Sequence, residues 1–279
     1  MTIQFQQNLN DYKSALHTLI KVWDVNKGQD TGRIKIWGDF ESLTSKIILQ
    51  AVSALKLYTD NKFVVYKDRL ILSCDFTSIN VISRSVLEAY LYTWWLFVDV
   101  KSESEREYKI LCWRIAAMNF RLSFSPITEE GRRVLESERT QLDGALDRLK
   151  NNTFYNSLCD VEKNKILNKI NNGSNVRPGW KKIIEDAKLS KGFADTYSYM
   201  CDSSHSGQLS SLQIYSAHGD VAQQKRLCRV ALNTILMCIC RLVRDYSELW
   251  ELSKEYLILH SGELAIIKKW CEIAESPWS

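Results

Sequence analysis

Apolar positions along this chain recur mostly at the three- and four-residue spacing of helices. Over residues 3–24 they are Ile3, Phe5, Leu9, Tyr12, Leu16, Leu19, Ile20 and Trp23, which predicts an opening amphipathic helix. The polar stretch NKGQDTGRIKIWG (26–38) reads as a loop, and Asp39 as the N-cap of a second helix through DFESLTSKIILQAVSALKLY. Residues 61–74, NKFVVYKDRLILSC, have enough β-branched side chains for a short strand but no evident partner for it. A strongly apolar helix follows from Phe76 to Val100. The next, ESEREYKILCWRIAAMNFRLSF, stops before Ser125-Pro126, where proline disfavours continuation. Residues 128–150 form a charged amphipathic helix. VEKNKILNKI ends at NNGSNVRPG (171–179), the clearest break in the chain and its best linker candidate. Beyond it come WKKIIEDAKL, the segment YSYMCDSSHSGQLSSL (197–212), a long helix over 219–249 and a C-terminal pair around Tyr256 and Ile266.

Composition sharpens this picture. Three prolines and eleven glycines in 279 residues are few for a sheet protein, which needs turns at short intervals. The expected fold class is all-α: a single multi-helix, bundle-like domain with long central helices. Residues 1–74 are expected to pack as an N-terminal helical segment on a main helical domain, 75–279. Thirty-seven basic residues nearly match thirty-three acidic ones and no basic arm occurs, so charge alone makes no case for nucleic acid. The two most apolar runs, SVLEAYLYTWWLFVDV and VALNTILMCIC, are too short to span a bilayer, so no membrane is expected. The N-terminal stretch lacks the basic-then-apolar order of a signal peptide. None of the eight cysteines forms a C-x-x-C pair, so buried free thiols in a reducing cytosol are expected, with no metal and no cofactor.

Chemistry concentrates in two places. In NVISRSVLEAYLYTWWLFVD, helical geometry puts Thr77, Asn80, Arg84, Glu88, Trp95 and Asp99 on one narrow stripe of an otherwise apolar helix. The plain alternative is an exposed i,i+4 ion pair worth about 0.3–0.5 kcal/mol. The order Arg-then-Glu is the less favourable one for helix stability alone. The second place is the polar cluster after Tyr199. Tyr197, Cys201 and Ser204 share a face with His205 beside it, and Asp202 or a residue of another helix could orient the imidazole. A capping histidine tying two helices together is the equally simple alternative. His17, His218 and His260 read as a near-core position, a surface position and a helix C-cap. Arg114 and Arg121, with Trp113 and Phe120 between them, could form an arginine–aromatic surface for phosphate or RNA. Lys225, Arg226, Arg229 and Arg244 make a broken basic stripe. No G-x-S-x-G, P-loop, G-x-G-x-x-G, H-E-x-x-H or EF-hand pattern occurs.

The Arg84-x-x-x-Glu88 helix, the Trp113-Arg114 helix, Trp180 and the late Tyr197…Ser203-x-His205 element together resemble an uncharacterised family of bacterial all-helical proteins found in defence-related or mobile gene settings. The resemblance spans roughly residues 75–245 and implies a cytoplasmic protein with a functional pocket between the two helices. More distantly, the chain resembles the HEPN ribonucleases, whose active members carry Arg and His four to six residues apart. Here the nearest arginine before His205 is Arg177, so Arg84 would have to act from another helix.

Two functions follow as expectations. The first is a regulatory or defence-associated helical protein whose polar pocket takes a small ligand or protein partner. The second is an RNase or other phosphodiester-cleaving effector. In that case His205 would be the acid/base, Arg84 the charge stabiliser and Glu88 the orienting group, while Tyr197, Asp202, Ser204 and Arg114 would bind the ligand. RNA is the secondary partner, and the many aromatics leave a homodimer face open.

Overall fold

The structure, a computed structural model, describes residues 3–27, 34–60, 62–65, 69–205 and 207–276. The helical spacing is realised as α1 (Ile3–Val25), α2 (Ile34–Thr59), α3 (Phe76–Thr93), α4 (Glu103–Leu122), α5 (Glu129–Lys150), α6 (Thr153–Ser157) and α7 (Asp160–Asn171). These are followed by α8 (Trp180–Asp186), α9 (Gly192–Ser204), α10 (Gln208–Ser216), α11 (Val221–Leu249), α12 (Glu251–Leu259) and α13 (Ser261–Glu275). The fold is all-α, with one antiparallel hairpin, β1 (Lys62–Val65) and β2 (Arg69–Leu72). Side-chain oxygens open the main helices: Asp75 for α3, Ser102 for α4, Thr128 for α5 and Asp220 for α11 each accept a backbone N–H of the first turn.

Three local expectations change. The loop read over 26–38 gives way to helix at Ile34, so Asp39 lies inside α2 rather than capping it. The added turn brings Trp37 edge-on to Phe40 and Trp250, at 5.9 and 4.8 Å between ring centroids, and that aromatic packing outweighs the polar composition. Residues 28–33 of that loop lie outside the described residues. The strand without a partner finds one in its own second half, pairing Lys62 with Leu72 and Val65 with Arg69. The apolar helix expected to reach Val100 leaves α geometry at Thr93, and a π-helical turn takes Trp94–Val98. Trp95 falls within that π turn and is 6% exposed, and Asp99 lies beyond it, so neither continues the α-helical spacing of the expected stripe. The Asp99 carbonyl instead accepts from Lys109 Nζ.

Contacts divide the chain elsewhere than at residues 74 and 75. Residues Met1–Trp94 and Trp180–Ser279 form one compact unit, and Trp95–Gly179 a second. In the first, α3 packs on α2, α9 and α11, and α11 also meets α1 and α13. Leu87, Tyr90 and Leu91 of α3 and Ile235, Ile239 and Leu242 of α11 are fully or almost fully buried there. The Ser83 hydroxyl donates to the Ala231 carbonyl at 2.9 Å, fixing the two central helices in register. The second unit closes α4 against α5, α6 and α7 over Tyr108, Leu111, Cys112, Ile115, Leu149 and Ile170. Its chain reversal after α7 needs Gly173, where φ is +65° and a Cβ would lie 3.0 Å from the Phe120 backbone.

Candidate functional site

α3 buries most of its circumference, so its few polar side chains must meet whatever covers them or face solvent. Arg84 and Glu88 stand one turn apart on its partly open side, with side chains 22% and 29% exposed and Nε donating to Oε1 at 3.1 Å. α9 supplies the rest. The Tyr197 hydroxyl donates to the same Glu88 oxygen at 2.9 Å, and the Arg84 guanidinium carbon lies 5.4 Å from the Tyr197 ring centroid. His205 ends α9, its backbone N–H donating to the Cys201 carbonyl. Its imidazole is exposed, with Nε2 3.4 Å from Arg84 Nη1. Two contacts seat α9 here. Asn80 Nδ2 donates to Ser203 Oγ at 3.3 Å, and Trp180 packs edge-on to Tyr92 and tilted against Tyr197.

The charges reinforce this geometry. Burial acts to lower the Arg84 pKa, but the Glu88 charge and hydrogen bond leave it above its ordinary value. Tyr197 is pushed up to about 12, first by burial and then by Glu88, so it serves as a neutral donor to the carboxylate. Arginine only donates, so a bond from Nη1 to His205 requires the imidazole form with Nε2 unprotonated. The result is a guanidinium fixed by a carboxylate and an aromatic face, with an imidazole at its outer edge. Such a cluster can take an anion on the outward edge of the Arg84 guanidinium beside His205 or move a proton at His205.

Arg84, Glu88, Tyr197 and His205 are therefore brought together from two helices. Asp202 goes elsewhere. Its Oδ2 accepts the Ser210 N–H at 2.7 Å and its carbonyl the Gly207 N–H at 2.8 Å, so it anchors the first turn of α10 rather than orienting His205. The close approach of Gly207 permits this, because a Cβ there would sit 1.7 Å from Asp202 Oδ1. Ser204 Oγ donates back to the Met200 carbonyl at 3.0 Å. Ser206 lies outside the described residues. Arg114 belongs to α4, in the second unit, where the nearby Arg121 pairs with Glu138 at 2.5 Å. The basic stripe of α11 is engaged within the chain. Lys225 lies over Tyr58, Arg229 over Phe5, Arg226 bonds Gln223 and Arg244 bonds Glu275. His260 is the C-cap of α12, with Nδ1 2.7 Å from the Tyr256 carbonyl.

A second polar cluster escaped the sequence reading. Arg241, 3% exposed, donates to Tyr90 Oη at 3.2 Å and to the Ala187 carbonyl at 2.8 Å, and pairs with Glu275. One turn on, Asp245 is 1% exposed with Oδ2 unpartnered, and burial pushes its carboxyl up to about 7 against the pull of Arg241 and Arg244. The sole signal was a charged i,i+4 pair inside an apolar helix, which reads the same as a surface pair. Among the described residues no group of three or more His, Cys, Asp and Glu side chains could hold a metal ion. No helix among them is long and apolar enough to cross a membrane. No protein-family model matches the chain, and no curated protein or solved structure matches it either.

Proposed function

We propose that this chain is a ligand-responsive helical protein whose Arg84–His205 cluster takes up a small phosphate-bearing anion. Its working context in this proposal is the cytoplasmic, bacterial defence-related one that the family resemblance implies. The supporting observation is the meeting of Arg84 Nη1 and His205 Nε2 at 3.4 Å, from two different helices, at an open surface. Glu88 holds the guanidinium through Nε, and the Tyr197 ring lies beside it with its hydroxyl on the same Glu88 oxygen. A purely structural ion pair has no need of an exposed imidazole beside it.

Calorimetric titration with inorganic pyrophosphate tests this reading. Wild-type protein binds with a saturable heat. His205→Ala and Arg84→Gln each weaken binding at least tenfold while leaving the melting temperature within a few degrees. Equal binding by all three proteins contradicts the proposal.

One observation favours a second reading, phosphodiester cleavage. His205 is exposed next to a fixed guanidinium, which pairs an acid/base group with a stabiliser of developing negative charge. In this reading Glu88 positions Arg84, not the imidazole. Loss of a single-stranded RNA substrate with wild type but not with His205→Ala supports it, and intact RNA with both removes it.

A further inference from the structure

The segment that opens α3 is tied to α11 by a pair of sulfurs. Cys74 Sγ lies 3.5 Å from Cys228 Sγ, with the residues 1% and 0% exposed. Gln224, one turn before Cys228, holds the arrangement. Its Oε1 accepts the Cys74 N–H at 2.7 Å while its Nε2 donates to the Ala217 carbonyl at 3.1 Å. The backbone on the Cys74 side is thus held to the Gln224 side chain, and the two sulfurs stand about 1.5 Å beyond a disulfide bond length of about 2.05 Å.

The two thiols are electronically unlike. Cys112 and Cys271 are pushed up to about 12 by burial, the ordinary behaviour of a core thiol. Cys74 goes the other way. The hydrogen bond with Cys228 lowers it, against the opposing effects of burial and Asp75, and Lys225 helps. The same bond pushes Cys228 up. Geometry assigns the roles: Cys228 Sγ donates to the Gln224 carbonyl at 3.3 Å, while Cys74 and not Cys228 is on the wall of a surface cavity, so Cys74 is the nucleophile of the pair and Cys228 the proton-bearing partner. The cavity is about 330 Å³, and Cys74 is on its wall together with Ser73, Asp75, His218 and Gln224. That space admits a molecule the size of hydrogen peroxide.

We propose that Cys74 and Cys228 are a peroxide-reactive dithiol that closes to an intramolecular disulfide. In the first step the Cys74 thiolate attacks one peroxide oxygen. The S–O bond forms, the O–O bond breaks, and the departing hydroxide leaves as water with the proton lost from Cys74. In the second step the Cys228 sulfur attacks the Cys74 sulfenic sulfur. The S–S bond forms, the S–O bond breaks, and the hydroxyl leaves as water with the Cys228 proton. Overall two thiols lose two electrons and two protons, and one peroxide becomes two waters. The bond spans 154 residues, joining the two sequence-distant halves of the first unit.

The test uses full-length reduced protein carrying Cys159→Ser, because Cys159 is an exposed thiol that would otherwise couple molecules together. The protein is exposed to graded hydrogen peroxide, unfolded in alkylating agent and mapped by mass spectrometry without reductant. The expected result is a cross-linked peptide pair containing Cys74 and Cys228, with the other thiols still alkylated and full reversal by dithiothreitol. In Cys228→Ser protein the reaction stops at a Cys74 sulfenic acid, trapped by dimedone. The proposal is overturned if both thiols remain alkylatable at peroxide levels that oxidise Cys201, or if Cys74 links to any other cysteine.

Discussion

Asp245→Asn separates two accounts of the buried charges on α11. Asp245 is 1% exposed, and its neighbours Arg241 and Arg244 already have Glu275 as a carboxylate partner. Its own carboxyl is pushed from 3.8 up to about 7, mainly by burial. Because the folded protein holds this proton more tightly than the unfolded chain, the associated stability is fully present below about pH 4. It is lost as pH rises towards 7. The gap between 3.8 and about 7 corresponds to about 4 kcal/mol at about 1.4 kcal/mol per pH unit. Asp11, Asp75 and Glu105 have lowered pKa values, so their contributions are lost only as pH falls through the acid range, and they cancel between wild type and variant. Urea unfolding followed by tryptophan fluorescence from pH 4.5 to 8 reads the difference directly. The asparagine variant is expected to match wild type near pH 4.5 and to exceed it by up to about 4 kcal/mol at pH 8. The opposite result, a variant some 3–5 kcal/mol less stable at pH 8, would mean that Asp245 is an ionised partner of Arg241 and refute the reasoning.

Other substitutions test the site and its supports. Tyr197→Phe removes the hydrogen bond to Glu88 and should cost about 1 kcal/mol by chemical denaturation, with Arg84 less firmly held. Gly207→Ala forces the Asp202 carboxylate off the Ser210 N–H, and hydrogen exchange at Ser210 should speed at least tenfold while α3 amides are unchanged. Gly173→Ala combines a positive φ with a contact on the Phe120 backbone and should destabilise the protein by more than about 1 kcal/mol.

The helices were legible because their apolar periodicity runs unbroken for several turns. The grouping of Arg84 and Glu88 with His205 was legible because isolated polar side chains in apolar elements need partners. Other features depended on distant contacts. Nothing near Trp37 announces the Trp250 ring that draws α2 back to Ile34. The hairpin was hidden because no glycine or proline occurs anywhere in the sequence from Lys62 to Leu72 to signal a reversal. One boundary of the second unit falls at the end of NNGSNVRPG, where turn residues flag it. The other lies between Trp94 and Trp95, inside a continuous apolar run with no proline or glycine. Asp202 looked like an orienting group for His205 because sequence proximity suggested it. The missing Cβ of Gly207 sends its carboxylate to α10 instead.

The central claim is that an anion is taken up on the outward edge of the Arg84 guanidinium beside His205, and the imidazole resonances of the protein measure this most directly. The chain has four histidines, so His17, His218 and His260 serve as controls within one spectrum. On titration with pyrophosphate at constant pH and ionic strength, the His205 ring nitrogens are expected to shift saturably while the other three histidines stay in place. In Arg84→Gln protein that shift should vanish. A spectrum in which all four histidines drift alike, or in which His205 stays fixed at pyrophosphate concentrations that move the others, would contradict the account.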